Sequence, residues 1–142
     1  MSSEKKTEIT VEATVISHAE KVWKLWTDPL DITGWCYASD DWHAPYAEND
    51  LRTGGKFKTT FSAKDGSTSF DFEGVYINVE KYKLIEYILS DERKVKITFS
   101  VNGNETIITE TFEAESIHPP EMQKQGWQAI LNNFKSYAES AE

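Results

Sequence analysis

The chain has 142 residues, a formal net charge of −9 and a pI near 4.8. A surplus of carboxylates opposes phosphate backbones and anionic bilayers, and the only arginines are Arg52 and Arg93, so nucleic acid is excluded as an expected partner. The length suits a single domain, residues 1–142, with a core that needs no staples; aromatic residues at 13% leave rings to spare for lining a cavity.

No apolar run approaches the roughly 18 residues of a membrane span, and residues 1–8 lack the apolar core of a signal peptide. The expectation is a cytoplasmic protein without membrane insertion. Cys36 is single, which rules out an internal disulfide and reads as a small packed hydrophobe.

Ile9, Val11 and Val15 alternate with polar residues and predict a half-buried strand over Thr7 to Ile16. Ser17-His18-Ala19-Glu20 has capping-box spacing and opens a helix with Ala19, Val22, Trp23 and Trp26 on one face. Asp28-Pro29 ends that helix and starts a second, with Asp28 as cap and Gly34 placed to terminate it. From Trp35 to Asn49 periodicity disappears; Trp35, Tyr37, Trp42, His43 and Tyr46 predict an aromatic loop packed over the core or closing a cavity.

Phe57, Thr59 and Phe61 alternate with Lys56, Lys58 and Thr60 in the next strand, and Asp65-Gly66 closes a hairpin into Ser69 to Val79. The apolar parity of that strand changes at Gly74, which predicts a β-bulge or bend there. Ile85, Tyr87 and Leu89 mark a fourth strand, and Val95, Ile97, Phe99 and Val101 a fifth with one buried face. Asn102-Gly103 predicts a tight hairpin into a last strand, Glu105 to Glu113.

Glu121 to Ser140 carries Trp127, Ile130, Leu131, Phe134 and Ala138 at i, i+3, i+4, i+7 and i+11, a single apolar stripe on a helix. At about 2 kcal/mol for each large side chain buried, Trp127, Leu131 and Phe134 contribute on the order of 6 kcal/mol, enough to organise the fold around this helix. The fold class expected is α+β: a curved antiparallel sheet of about six strands wrapped around a long C-terminal helix, with two short helices after the first strand.

That order, with Val22-Trp23, Asp50-Leu51-Arg52-Thr53-Gly54-Gly55-Lys56-Phe57, Gly74, Thr106 to Phe112, and Gly126-Trp127 followed by Leu131, resembles the family of activator of heat-shock-protein-90 ATPase homologues. The likeness covers essentially the whole chain. It implies the helix-grip fold shared with lipid-transfer START domains, polyketide cyclases and the birch-pollen allergen group. The family often has proline where Thr53 stands. The co-chaperone's additional N-terminal domain, with its Asn-rich activating motif, has no counterpart here.

His18, His43 and His118 have no metal-ligand spacing to one another or to Cys36, and no Gly-x-Ser-x-Gly is present; no metal, cofactor or catalytic residue is assigned. Glu110 is the interesting carboxylate. A two-residue loop at Asn102-Gly103 pairs Val101 with Asn104 and Val95 with Glu110, which turns Glu110 to the concave side. A four-residue loop keeps that parity, and a three-residue loop reverses it. Inside, the carboxyl would titrate high and orient a ligand or act as an acid or base.

The fold implied by the resemblance places a cavity under the C-terminal helix. Trp26, Trp35, Tyr37 and Trp42 would cap one end; Phe57, Phe72, Tyr76, Phe99, Trp127, Leu131 and Phe134 would form its walls, with Glu110 inside. The same residues could instead fill the core. The first function expected is binding of a hydrophobic or aromatic small molecule, lipid- or polyketide-like. The second is a co-chaperone-like partnership with a heat-shock-protein-90 homologue. The third is a cyclase- or hydratase-type enzyme using Glu110 with Tyr76 or His43.

Overall fold

A computed structural model describes residues 7–141. Its elements are β1 (Glu8–Val15), α1 (Ala19–Thr27), α2 (Pro29–Trp35), β2 (Trp42–Asn49), β3 (Lys56–Ala63), β4 (Ser69–Glu80), β5 (Leu84–Leu89), β6 (Lys94–Asn102), β7 (Glu105–Glu113) and α3 (Pro120–Ser140). The strands form one antiparallel sheet in the order β1-β7-β6-β5-β4-β3-β2, curled into a half-barrel. The sheet has seven strands rather than about six, because the expected aromatic loop contains β2. Pro45 lies within a register shift between His43 and Tyr46 on this edge strand, and the shift breaks the alternation that reveals a strand in sequence.

The period-two segments behave as their patterns require. β1 buries every second residue, and Ile85, Tyr87 and Leu89 of β5 all turn inward. β6 and β7 meet around Gly103 (φ 65°) and Asn104, with glycine first in the loop as a type II′ hairpin needs. Val101 therefore pairs with Thr106 rather than Asn104, and Ile97 rather than Val95 faces Glu110. Two residues of shift leave every side chain on its expected face.

The bend in β4 falls later than expected. Gly74 pairs regularly with Phe57 and Leu89, and the register shifts between Tyr76 and Asn78. Gly74 is required for closeness instead: a Cβ there would lie 2.5 Å from the Ile88 carbonyl oxygen and 3.0 Å from the Phe57 ring.

The helix caps also differ in part. Asp28 accepts from the Leu30 N–H at 2.9 Å, as proposed for the start of α2. The Ser17 capping box does not form; His18 is the N-cap of α1 and makes no side-chain cap bond. Ser17 is held elsewhere, its N–H on the Val15 carbonyl and its own carbonyl on the Thr106 hydroxyl. Helix α2 runs past Gly34 to Trp35, and Gly34 packs where a Cβ would meet the Tyr137 ring at 2.7 Å.

Helix α3 packs inside the curl against β1, with α1 and α2 beside it. Leu131, Phe134 and Ala138 are fully buried, while Trp127 and Ile130 are half-buried. Its polar side covers the free edge of β1. Gln128 donates to the Glu12 carbonyl at 3.1 Å, Lys135 to the Thr14 carbonyl at 2.8 Å, and Glu139 accepts from the Ile16 N–H at 2.9 Å. Side chains at i, i+7 and i+11 thus satisfy backbone groups that would otherwise invite another strand. Among the described residues no helix is long and apolar enough to cross a membrane.

Candidate functional site

The half-barrel is filled unevenly. At the end nearest α1, Phe134 packs edge-on against Trp26 and Trp35, each at 4.8 Å between centroids, while Phe99 meets Trp23 at 5.3 Å and Trp26 at 5.7 Å. Trp35 donates its indole N–H to the Leu25 carbonyl at 3.0 Å. This end is solid core.

Beyond it a cavity of about 510 Å³ opens between the sheet and α3. Trp26, Trp35, Trp42, Phe57, Phe72, Tyr76, Glu110 and Trp127 line it, all expected at such a site. Phe99, Leu131 and Phe134 do not; they are buried in the packed end. Tyr37 also stands off the wall, where its carbonyl accepts from Asn133 at 2.6 Å. His43 is half-buried on β2 and is not part of the wall.

The wall contains residues that sequence reasoning did not single out, notably Phe61, Phe70, Tyr87, Arg93 and Gln123. Tyr87 had a usable signal, since it shares the inward parity of Ile85 and Leu89. Phe70, 53% exposed, sits at the mouth with Trp42, their rings 5.9 Å apart. It had a signal too, since it shares the parity of Phe72 on β4. Trp127 stacks flat on Phe112 at 3.9 Å and turns its edge to Phe72, fixing the α3 side of the cavity.

The polar groups have distinct states. Tyr76 donates to Asn49 Oδ1 at 2.5 Å, and Asn49 Nδ2 donates to the Thr27 carbonyl at 2.7 Å, a chain joining β4, β2 and α1. Burial raises the Tyr76 and Tyr87 phenols well above their ordinary range. The Cys36 thiol is pushed up to about 12, first by burial and then by the Glu110 charge. It is a protonated, unreactive thiol at neutral pH. Glu110 is 6% exposed, and among the described residues no donor reaches its carboxylate. Burial alone pushes it up to about 8, so it is mostly a neutral acid at pH 7.

No group of His, Cys, Asp and Glu among the described residues is arranged to hold a metal ion. The cavity can therefore do two things with its own side chains. It can enclose an apolar molecule against ring faces, and it can exchange a proton or hydrogen bond through Glu110.

The model of the activator of Hsp90 ATPase homolog 1-like protein family matches residues 17–139. An AHSA1-like protein from Aeromonas hydrophila shares 41% identity over 94% of this chain and 93% of that one, with a TM-score of 0.89. A protein from Cytophaga hutchinsonii shares 56% identity over 93% and 92%, with a TM-score of 0.81. One from Chromobacterium violaceum, 22% identical over 95% and 99%, has the same fold at a TM-score of 0.85. No curated protein matches the sequence.

Proposed function

The chain belongs to the activator of Hsp90 ATPase homolog 1-like family, and on that premise we propose that it binds a hydrophobic or aromatic small molecule, lipid- or polyketide-like, between sheet and α3. The observation that carries this reading is the aromatic-walled cavity of about 510 Å³ beside the packed aromatic end of the half-barrel. That volume lies in the range of small-molecule sites.

Titration with the neutral dye Nile red tests it, with native mass spectrometry of the purified protein to weigh any retained guest. Saturable binding at one site is expected, and Thr59→Trp, which puts an indole into the cavity from a buried wall position, should abolish it. Dye binding unaffected by Thr59→Trp, or no saturable binding, refutes the proposal.

A second reading is favoured by the family description itself: docking on a heat-shock-protein-90 homologue. Failure to co-elute with the chaperone, together with an unchanged chaperone ATPase rate, would remove it.

A further inference from the structure

We propose that the cavity takes a guest carrying a protonated amine, which seats its N–H donors on the Glu110 carboxylate while its apolar body lies against the aromatic walls. The inference rests on the cavity-binding reading above and narrows it to a ligand class.

The argument begins with the charged groups around the cavity. Glu48 on β2 accepts from the Tyr46 hydroxyl at 2.5 Å. Arg93, in the β5–β6 turn, donates from Nε to Asp91 at 2.7 Å. Glu115, after β7, accepts from the His118 N–H at 2.6 Å and meets His118 Nδ1 at 2.8 Å. Each has a partner from the chain itself. Glu110 is the exception: it sits deepest, and its oxygens lack a donor among the described residues. A carboxylate that has no donor from the chain itself and borders an open cavity is available to a donor brought in from outside.

The sign of that partner follows from the surroundings. The wall holds three carboxylates against one guanidinium, and that guanidinium is engaged with Asp91. Trp26, Trp35 and Trp127 line the cavity, and the negative quadrupole of an indole face favours a cation over an anion. A fatty acid's carboxylate would meet like charge at Glu110 once that acid ionises, near and above pH 8. Of the other titratable groups near Glu110, Cys36 and Tyr87 both stay protonated at neutral pH and present no competing cation. From α3 only the uncharged Gln123, Trp127 and Ile130 reach the wall.

Binding of an ammonium guest requires Glu110 to ionise. With its carboxyl at about 8 in the empty protein, amine affinity should rise roughly tenfold per pH unit up to about pH 8 and release up to one proton into the buffer. A neutral guest accepting a hydrogen bond from the protonated acid would bind almost independently of pH below about 7 and weaken above about 8.

The test uses three probes with one ring system: naphthylmethylamine, naphthylmethanol and naphthoate. Each is titrated calorimetrically at about pH 6 and about pH 8, in two buffers of different ionisation heat. The amine is expected to bind at least about 10-fold tighter than the alcohol at the higher pH, as a charge-assisted hydrogen bond supplies. Its advantage should shrink at the lower pH, and naphthoate should bind weakest. Glu110→Gln should erase the amine's advantage over the alcohol. If alcohol or naphthoate equals or exceeds the amine in the wild-type protein, the amine assignment is overturned and the cavity reading survives. If no probe binds, both fall together. The wild-type comparison stands whether or not the variant folds.

Discussion

Replacing Glu110 with Gln removes a titratable group while keeping its shape, and the structure dictates how stability should respond to pH. The folded-state carboxyl titrates near 8, against 4.5 when exposed. The folded chain therefore holds a proton that the unfolded chain has released between those values, and stability falls as pH rises through that window. The favourable state, a neutral buried acid, is fully present below about 4.5 and lost above about 8. At about 1.4 kcal/mol per pH unit the full shift would be near ~5 kcal/mol. Water entering the adjoining cavity solvates the ionised carboxylate and reduces that to about 2–4 kcal/mol. Urea denaturation followed by tryptophan fluorescence, at a series of pH values, measures the effect. The quantity to follow is the difference between Glu110→Gln and wild type, in which titrations common to both cancel. That difference should move in favour of the variant by about 2–4 kcal/mol between about pH 5 and about pH 8.5. A difference constant to about 0.5 kcal/mol across the window would mean that Glu110 is solvated, and the reasoning that makes it a buried acid would be wrong.

Phe134→Ala removes a ring with no exposed surface from between Trp26 and Trp35; a loss of about 3–5 kcal/mol is expected in the same denaturation assay, and a loss under about 1 kcal/mol would show that α3 is not gripped as described. Gly74→Ala forces a methyl group to within 2.5 Å of the Ile88 carbonyl oxygen. It should cost about 1–3 kcal/mol, read as a lowered melting temperature in calorimetry, whereas an unchanged melting temperature would show that β4 and β5 are not so closely joined.

Much of the architecture was legible because it is written in short-range periodicity. The α3 stripe from Trp127 to Ala138 and the alternation of β6 need no knowledge of distant residues. The parity of Glu110 was legible too. Any even-numbered loop at Gly103 sends it inward, so the register could be off by two without moving it to the other face. The strand β2 was not legible, because Pro45 and the bulge beside it erase the period that identifies a strand. The bend in β4 was misplaced for a related reason. Gly74 looks like a bulge residue in sequence, yet its missing side chain makes room for Ile88 and Phe57.

Local pattern, then, determined from sequence every strand and helix except β2, and which face of each is apolar. Only the tertiary structure decided how the apolar residues divide between solid core and open wall. Phe99 and Phe134 meet the α1 tryptophans and fill space, whereas Phe57, Phe72 and Trp127 curve around a void. The lack of a donor near Glu110 likewise belongs to the assembled fold. Whether a void forms, and whether a buried carboxylate finds a partner, depends on how far side chains from distant parts of the chain reach across the curled sheet. Periodicity within one element carries no information about that distance.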